Sequence, residues 1–215
     1  MSATTTSPLA GDAASLIIRA LLDFRSLWTT HDLVTTTGVP AQTIRRVVNR
    51  LEREELVERQ APGVIAVPSW LTLLRRWNEE VRFSRDVRVT YWRSKHGAQP
   101  LLDRVAATPV RHAVSGAHAA RVWVPETPAG PTVIYTPDAR AAATVWELVP
   151  ARGRAIILAE PSGDVVYTRS RKTDSGIRLA APAQVLADLL TGAASAGAAE
   201  PLTHWMLEHE LEWRY

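Results

Sequence analysis

Apolar residues recur along the first third of the chain with the period of a helix, and the polar residues between them mark where each helix stops. In residues 15–28 (SLIIRALLDFRSLW), Leu16, Ile17, Ala20, Leu21, Phe24 and Leu27 fall at helical spacing. Thr30 is placed to cap a short helix that starts at His31, with Leu33 and Val34 facing inward. Gly38 then suits a left-handed helix end, and Pro40 suits the first position of a new helix. In that next helix Ile44, Val47, Val48 and Leu51 form one buried face. Leu56 and Val57 end the pattern. VERQAPGVIAVPS reads as two short strands about an APG turn, because Pro and Gly punctuate an extended apolar run. Residues 69–83 give a further amphipathic helix. Helix, short helix, glycine turn, helix and hairpin, in that order, predict a winged helix-turn-helix.

The face of the third helix opposite its buried stripe carries Gln42, Thr43, Arg45, Arg46, Asn49 and Arg50. An arginine can grip guanine through two hydrogen bonds, and Asn or Gln can do the same for adenine. Residues near the start of such a helix enter the major groove first. Glu52, Glu54, Glu55 and Glu58 come later, where they stay clear of the groove and can pair with Arg53 or Arg59. The hairpin brings one cation, Arg59. The expected DNA-binding set is therefore Gln42, Thr43, Arg45, Arg46, Asn49, Arg50 and Arg59. A solvated charged helix in a bundle is the competing reading, and the glycine turn together with the wing favours the DNA-binding one.

Charge strengthens this picture by its placement. Residues 1–93 hold 13 basic against 10 acidic side chains, a net of +3, and residues 94–215 hold 12 of each. Of the 25 basic residues only Lys95 and Lys172 are lysine. Arginine suits phosphate and base recognition, although a codon bias toward arginine gives the same composition. Residues 82–93 (RFSRDVRVTYWR) interleave Arg82, Arg85, Arg88 and Arg93 with Phe83, Tyr91 and Trp92. They read as a linking segment with solvated arginines in preference to a nucleic-acid stripe.

The second half has another rhythm. SKHGAQP marks a boundary, followed by a helix at 100–107, a strand in VRHAVSG and a helix GAHAARVW capped by Ser115. PTVIYT, RAIILAE, DVVYTRS and GIRLAA read as strands, DARAAATVW as a helix, and PAQVLADLL as a helix opened by Pro182. TGAASAGAAE reads as a small-residue loop and residues 201–214 as a terminal helix. Strands alternating with helices predict an α/β domain. The expected fold class is thus α+β: a lead-in at 1–14, a winged helix-turn-helix with its linking helix at 15–93, and a small α/β domain at 94–215.

No cysteine is present, which removes disulfides and cysteine zinc sites. No apolar run approaches the roughly 18 residues a membrane span needs. The N-terminus has neither the basic region nor the apolar core of a secretory signal, so a cytoplasmic protein without a membrane partner is expected. Phosphate-binding glycine loops and the G-x-S-x-G elbow do not occur. His31, His96, His112, His118, His204 and His209 form no i,i+4 metal pair, and His112 and His118 flank Ser115 without a recognisable catalytic pattern. Glu160 and Asp164 flank a turn, where a cation site competes with an ordinary turn role. Glu208, Glu210 and Glu212 splay apart on a helix and are expected to be solvated. No catalytic residue, metal ligand or cofactor is expected.

Two segments of the second half carry a family resemblance. VSGAHAARVW (114–123) resembles the SG-x-x-AA-x-x-W helix of AbiEi-type antitoxins from type IV toxin–antitoxin systems, and LAAPAQVLADLL (179–190) is similar to a second segment near the end of that domain. With the winged helix ahead of them, the resemblance covers most of residues 15–214. It implies an autoregulating repressor that binds inverted repeats in promoter DNA, with a C-terminal domain that counters a nucleotidyltransferase-type toxin. From the residues themselves, Ser115 is an N-cap, Ala119 and Ala120 permit close helix packing, Trp123 is core, and Asp188 satisfies backbone groups. Trp205 and Trp213 are candidates for recruiting a protein partner, or simply anchors of the last helix. A nucleic-acid-processing enzyme, nucleotidyltransferase- or nuclease-like and targeted by its winged helix, is the alternative, and an interaction module that never touches DNA is a third. The oligomeric state is left open.

Overall fold

The computed structural model describes residues 9, 11–24, 27–81, 87–153, 156–192 and 196–214. The chain forms two compact units, one of residues 1–82 with 209–215 and the other of residues 83–208.

The first unit opens with α1 (Asp12–Asp23), α2 (Thr30–Thr37) and α3 (Ala41–Arg53). α1 starts and stops earlier than the periodicity predicts. It takes in part of the expected lead-in, and it ends before Leu27, which is 57% exposed where a buried position was expected. The chain turns extended at Phe24, and Trp28 instead bridges Ile65 through paired backbone hydrogen bonds of 2.8 and 2.7 Å. α2 is capped by Thr29, one residue before the expected cap. The Thr29 hydroxyl accepts from the Asp32 amide at 3.2 Å while the Asp32 carboxylate accepts from the Thr29 amide at 2.8 Å. Asp at the third helical position makes this reciprocal box possible. The Thr29 hydroxyl also donates to the Asp32 carboxylate at 2.7 Å, and this bond, with the one from the Thr29 amide, holds the carboxyl below its usual range. Gly38 ends α2 at φ 70°, a left-handed conformation that glycine adopts without a Cβ penalty.

α3 buries Ile44, Val47, Val48 and Leu51, the stripe expected from the sequence. Pro40 stands just before the helix rather than at its first position. β1 (Glu58–Ala61) and β2 (Val64–Ala66) pair antiparallel about the Pro62-Gly63 turn and make the wing. α4 (Trp70–Glu80) follows, capped by the Ser69 hydroxyl, with Trp70, Leu73, Leu74 and Trp77 buried.

The second unit contains, among the described residues, a seven-stranded mixed sheet. Its first strand is β3 (Val87–Ser94), the greater part of the segment read from sequence as a linker. Residues 82–86 of that segment lie outside the described residues. β3 pairs antiparallel with β6 (Leu148–Pro150) on one side and β7 (Ile156–Pro161) on the other. Arg88, Tyr91 and Arg93 are its exposed positions; with a period of two, Tyr91 and Arg93 share one face of the strand and Arg88 stands on the other. Between β3 and β6 the chain makes α5 (Ala98–Ala107), β4 (Ala113–Ser115), α6 (Gly116–Ala120), β5 (Thr132–Tyr135) and α7 (Ala139–Val145). After β7 come β8 (Arg171–Lys172), β9 (Arg178–Leu179), α8 (Pro182–Thr191) and α9 (Ala196–Glu208). The strand order is β6-β3-β7-β5-β4-β9-β8, with β5–β7 and β4–β9 parallel and the other pairs antiparallel.

Three expectations fail here for local reasons. DVVYTRS is not a strand: Val165–Tyr167 forms a 3-10 turn with Val165 and Val166 buried, so apolar side chains on consecutive residues report burial and not extension. The short strand β6 was not foreseen. The alanine-rich end of TGAASAGAAE is the start of α9, as the high helix propensity of alanine favours, and Pro201 lies inside that helix.

The end of the chain belongs with the winged helix. α10 (Glu210–Trp213) puts Trp213 edge-on to Trp70 at 4.9 Å, 1% exposed, which excludes it as a free aromatic for partner recruitment. Buried Arg214 donates to the Leu21, Leu22 and Phe24 carbonyls at 3.0, 2.7 and 3.1 Å. It also donates to the Glu210 carboxylate at 2.5 Å. A guanidinium is well matched to the orphan carbonyls at the end of α1. The expected boundary at residue 94 therefore moves to 83, and residues 209–215 change sides.

Candidate nucleic-acid interface

α3 separates its side chains cleanly. Ile44, Val47, Val48 and Leu51 are buried, while Gln42, Arg45, Arg46 and Asn49 are exposed or nearly so and Thr43 and Arg50 lie at the margins of that face. The outward set is the one predicted, but it divides in two. Gln42, Thr43, Arg45 and Arg46, on the first two turns, make no side-chain hydrogen bond or ion pair among the described residues. Asn49, Arg50 and Arg59 are already engaged. Arg59 on the wing donates to the Glu52 carboxylate at 2.9 and 3.0 Å and to Asn49 Oδ1 at 2.7 Å, tying β1 to the C-terminal half of α3.

Arg50 pairs with Glu54 one turn on, and Glu54 also accepts from Arg76 of α4 at 2.8 Å. Arg76 in turn reaches Glu80 at 2.5 Å. Burial alone would push the Glu54 carboxyl up, but hydrogen bonds from Arg50 and Arg76 outweigh it and hold the group below the usual carboxylate range. This network fixes the C-terminal end of α3 against α4. The sequence suggests Glu52 or its neighbours as partners for Arg59, and it does not reveal the pairing of Glu54 with Arg76. The i,i+4 spacing of Arg50 and Glu54 is a visible signal, whereas the Arg76 contact spans 22 residues and has none.

Elsewhere in this unit Arg19, counted with the basic excess, is buried and paired with Asp23 at 2.9 Å. Its charge is spent inside the helix and does not reach a ligand.

In the second unit the two segments that carry the family resemblance meet. Ser115 sits at the start of α6 but does not cap it. Its hydroxyl donates to Asp188 of α8 at 2.5 Å, and the other Asp188 oxygen accepts from the Tyr135 hydroxyl at 2.8 Å and from Gln184 at 2.9 Å. All four residues are buried. Asp188 therefore serves side chains on β4, β5 and its own helix, not only the backbone groups expected of it. Gly116, at φ 72°, completes the joint: a Cβ there would stand 2.9 Å from the Pro131 carbonyl oxygen. Serine and glycine in sequence, with an aspartate 73 residues away, thus form one close packing of α6, α8 and the sheet. Ala119 and Ala120 are fully buried, as close helix packing requires, and Trp123 is half-buried with its ring 6.0 Å from that of Trp205.

The other residues weighed for chemistry are engaged in structure. Asp164 pairs with Arg111 at 2.8 Å, and Glu160 accepts the Ala139 amide at 2.8 Å and faces Arg88 at 3.5 Å. His112 is buried, not partly exposed as expected. Its Nδ1 donates to the Val110 carbonyl at 2.8 Å and its Nε2 accepts the Arg178 amide at 3.1 Å, a pattern only the neutral ring can make. Burial, helped by the Arg178 charge, holds it below the usual histidine range. Glu210 holds Arg214 in an ion pair one helical turn long, so one of the three glutamates expected to be merely solvated is engaged, and Glu208 lies 3.2 Å from the His204 ring. Among the described residues no cluster of three or more His, Asp or Glu is placed to hold a metal, and no helix is long and apolar enough to cross a membrane.

Comparison with known proteins bears on the first unit. Residues 11–64 match the family model described as MarR family, a stretch that runs from the start of α1 to the start of β2. It covers the helix-turn-helix and the first strand of the wing, about a quarter of the chain. No curated protein and no solved structure matches the chain. The N-terminal unit is accordingly a winged helix-turn-helix of MarR-like type, the kind of domain found in DNA-binding transcriptional regulators, followed by a mixed α/β unit.

Proposed function

We propose that the protein is a sequence-specific transcriptional regulator that reads the major groove through the first two turns of α3. The observation that carries this reading is the outward, unpartnered set Gln42, Thr43, Arg45 and Arg46, held on a helix whose far end is locked by Arg50, Glu54 and Arg76. An interface residue of this kind should be free to bond a base edge while its backbone is already positioned. Arg59 keeps the wing in register with α3 and leaves Asn49 one hydrogen bond away from release. The test is selection of bound duplexes from a random pool by the full-length chain. Enrichment of an inverted repeat supports the proposal; a pool that stays random contradicts it.

The finer reading is an autoregulating repressor of AbiEi type, whose second unit binds a protein toxin and performs no chemistry. The meeting of both resemblance segments at the Ser115–Asp188 joint supports it, as does the engagement of Asp164, Glu160 and Asp188 in internal contacts. Co-purification of the chain with the nucleotidyltransferase-like product of a neighbouring gene is the expected result. Metal-dependent nucleotide transfer by the chain itself, abolished in Asp164→Ala, would replace this reading with the enzymatic one.

A further inference from the structure

The edge hairpin β8–β9 places like charges opposite each other. Lys172 and Arg178 are directly paired across the two antiparallel strands, so their side chains stand on one face. Like charges directly opposite in a sheet are destabilising. Lys172 has no hydrogen-bond or ion-pair partner among the described residues. The Arg178 guanidinium reaches neutral oxygens of Ser170, at 3.3 and 3.4 Å.

Both residues, with Arg111, line a cleft of about 360 Å³ between this hairpin and the end of α5. Ala106 and Val110 supply an apolar wall, and the lining holds no carboxylate. Arg111 is partly compensated from outside by Asp164 and lies over the Tyr167 ring at 4.0 Å, which sets its direction. The wall itself is fixed: neutral His112 clamps the Arg178 backbone to the Val110 carbonyl, and Gly176 supplies the φ of 90° that turns the hairpin loop. Three cations border a cleft lined by no acid, in a unit that holds 14 basic against 11 acidic side chains, and make a local concentration of positive charge that a bound anion would relieve.

We infer that this cleft binds a small phosphate-bearing anion, with Lys172 and Arg178 as its main ligands and Arg111 as a third. The volume is at the lower end of ordinary small-molecule sites and too small for a protein segment of any length. Guanidinium groups match phosphate oxygens through paired hydrogen bonds, and an ammonium adds a point charge.

The experiment titrates inorganic pyrophosphate into the full chain by calorimetry and follows the melting temperature in phosphate-free buffer. Pyrophosphate should bind with an affinity that weakens with salt and should raise the melting temperature. Lys172→Glu should lower the affinity by at least about tenfold. The same substitution should raise the melting temperature without ligand, because it replaces a repulsive pair with an attractive one. Arg46→Ala should leave pyrophosphate binding unchanged. Absence of binding, or equal binding by wild type, Lys172→Glu and Arg178→Ala, would overturn the inference. It would also be overturned if Lys172→Glu weakened duplex DNA binding as much as pyrophosphate binding, since the cleft would then be a phosphate-backbone contact for nucleic acid.

Discussion

The outward face of α3 and the surroundings of Asp188 are both polar, and they are built on opposite terms. Around Asp188 every polar group is buried and each has found another: Ser115, Tyr135 and Gln184 converge on one carboxylate. On the first turns of α3, Arg45 and Arg46 are exposed and have found nothing among the described residues. A buried polar group left without a partner is costly, so the first arrangement has to be closed. A solvated arginine is satisfied by water and can exchange that water for a ligand, so the second can stay open. The difference separates the part of the molecule that holds a shape from the part that is available to bind.

The contrast is broken most forcefully at Asp188. Asp188→Ala strands three buried donors and should cost about 3–5 kcal/mol in denaturant unfolding. Asp188→Asn, which keeps an acceptor, should cost less. A loss below about 1 kcal/mol for the alanine variant would mean the joint is held by packing alone. Arg46→Ala is the converse case. It should weaken specific DNA binding by about 1–3 kcal/mol and change stability by no more than about 0.5 kcal/mol. A destabilisation as large as that of Asp188→Ala would show that the arginine is structural after all.

Smaller effects sharpen the boundary between the two kinds of site. Glu54 lies on it, shared by Arg50 and Arg76. Its folded-state pKa is depressed, so its contribution is present above the unfolded value of 4.5 and is lost as pH falls through the folded value. Glu54→Gln should therefore cost on the order of 1 kcal/mol at neutral pH and flatten the acid limb of a stability-versus-pH curve. An unaltered acid limb would remove Glu54 from the network. Smallest of all, Arg59→Ala breaks an exposed clasp to Glu52 and Asn49. It should change stability by no more than about 0.5 kcal/mol, while amide exchange in β1 rises as the wing loosens.

The same division explains what can be read in the sequence. In the first unit the helices and the wing follow from local sequence. The α3 stripe follows from a period of 3.6, Gly38 from the need for positive φ, and the wing from a Pro-Gly turn between apolar runs. The outward set on α3 is legible for the same reason, being whatever the buried stripe leaves over. Contacts that cross the chain are not legible: Arg214 on the α1 carbonyls, Trp213 against Trp70, Arg76 on Glu54 and Ser115 on Asp188. Ser115 shows the trap plainly, because a serine ahead of a helix reads as a cap until a distant carboxylate takes its hydroxyl. β3 reads as a linker in sequence because Arg88 and Arg93 interrupt its apolar positions, and the consecutive Val89 and Thr90 are both half-buried instead of alternating. Which outward residues on α3 are free and which are tied also depends on partners elsewhere in the chain, so the sequence proposes the face but does not divide it.

The central claim, that the first two turns of α3 meet DNA, is tested most directly by equilibrium binding across a salt series. Wild type and the Arg45→Ala/Arg46→Ala double variant are titrated with a duplex of the chain's own promoter. The account predicts a linear fall of log affinity with log salt for wild type, with a slope of about −0.9 per phosphate neutralised, and a weaker, shallower response for the double variant. A flat salt response in wild type, or identical curves for the two proteins, would contradict it.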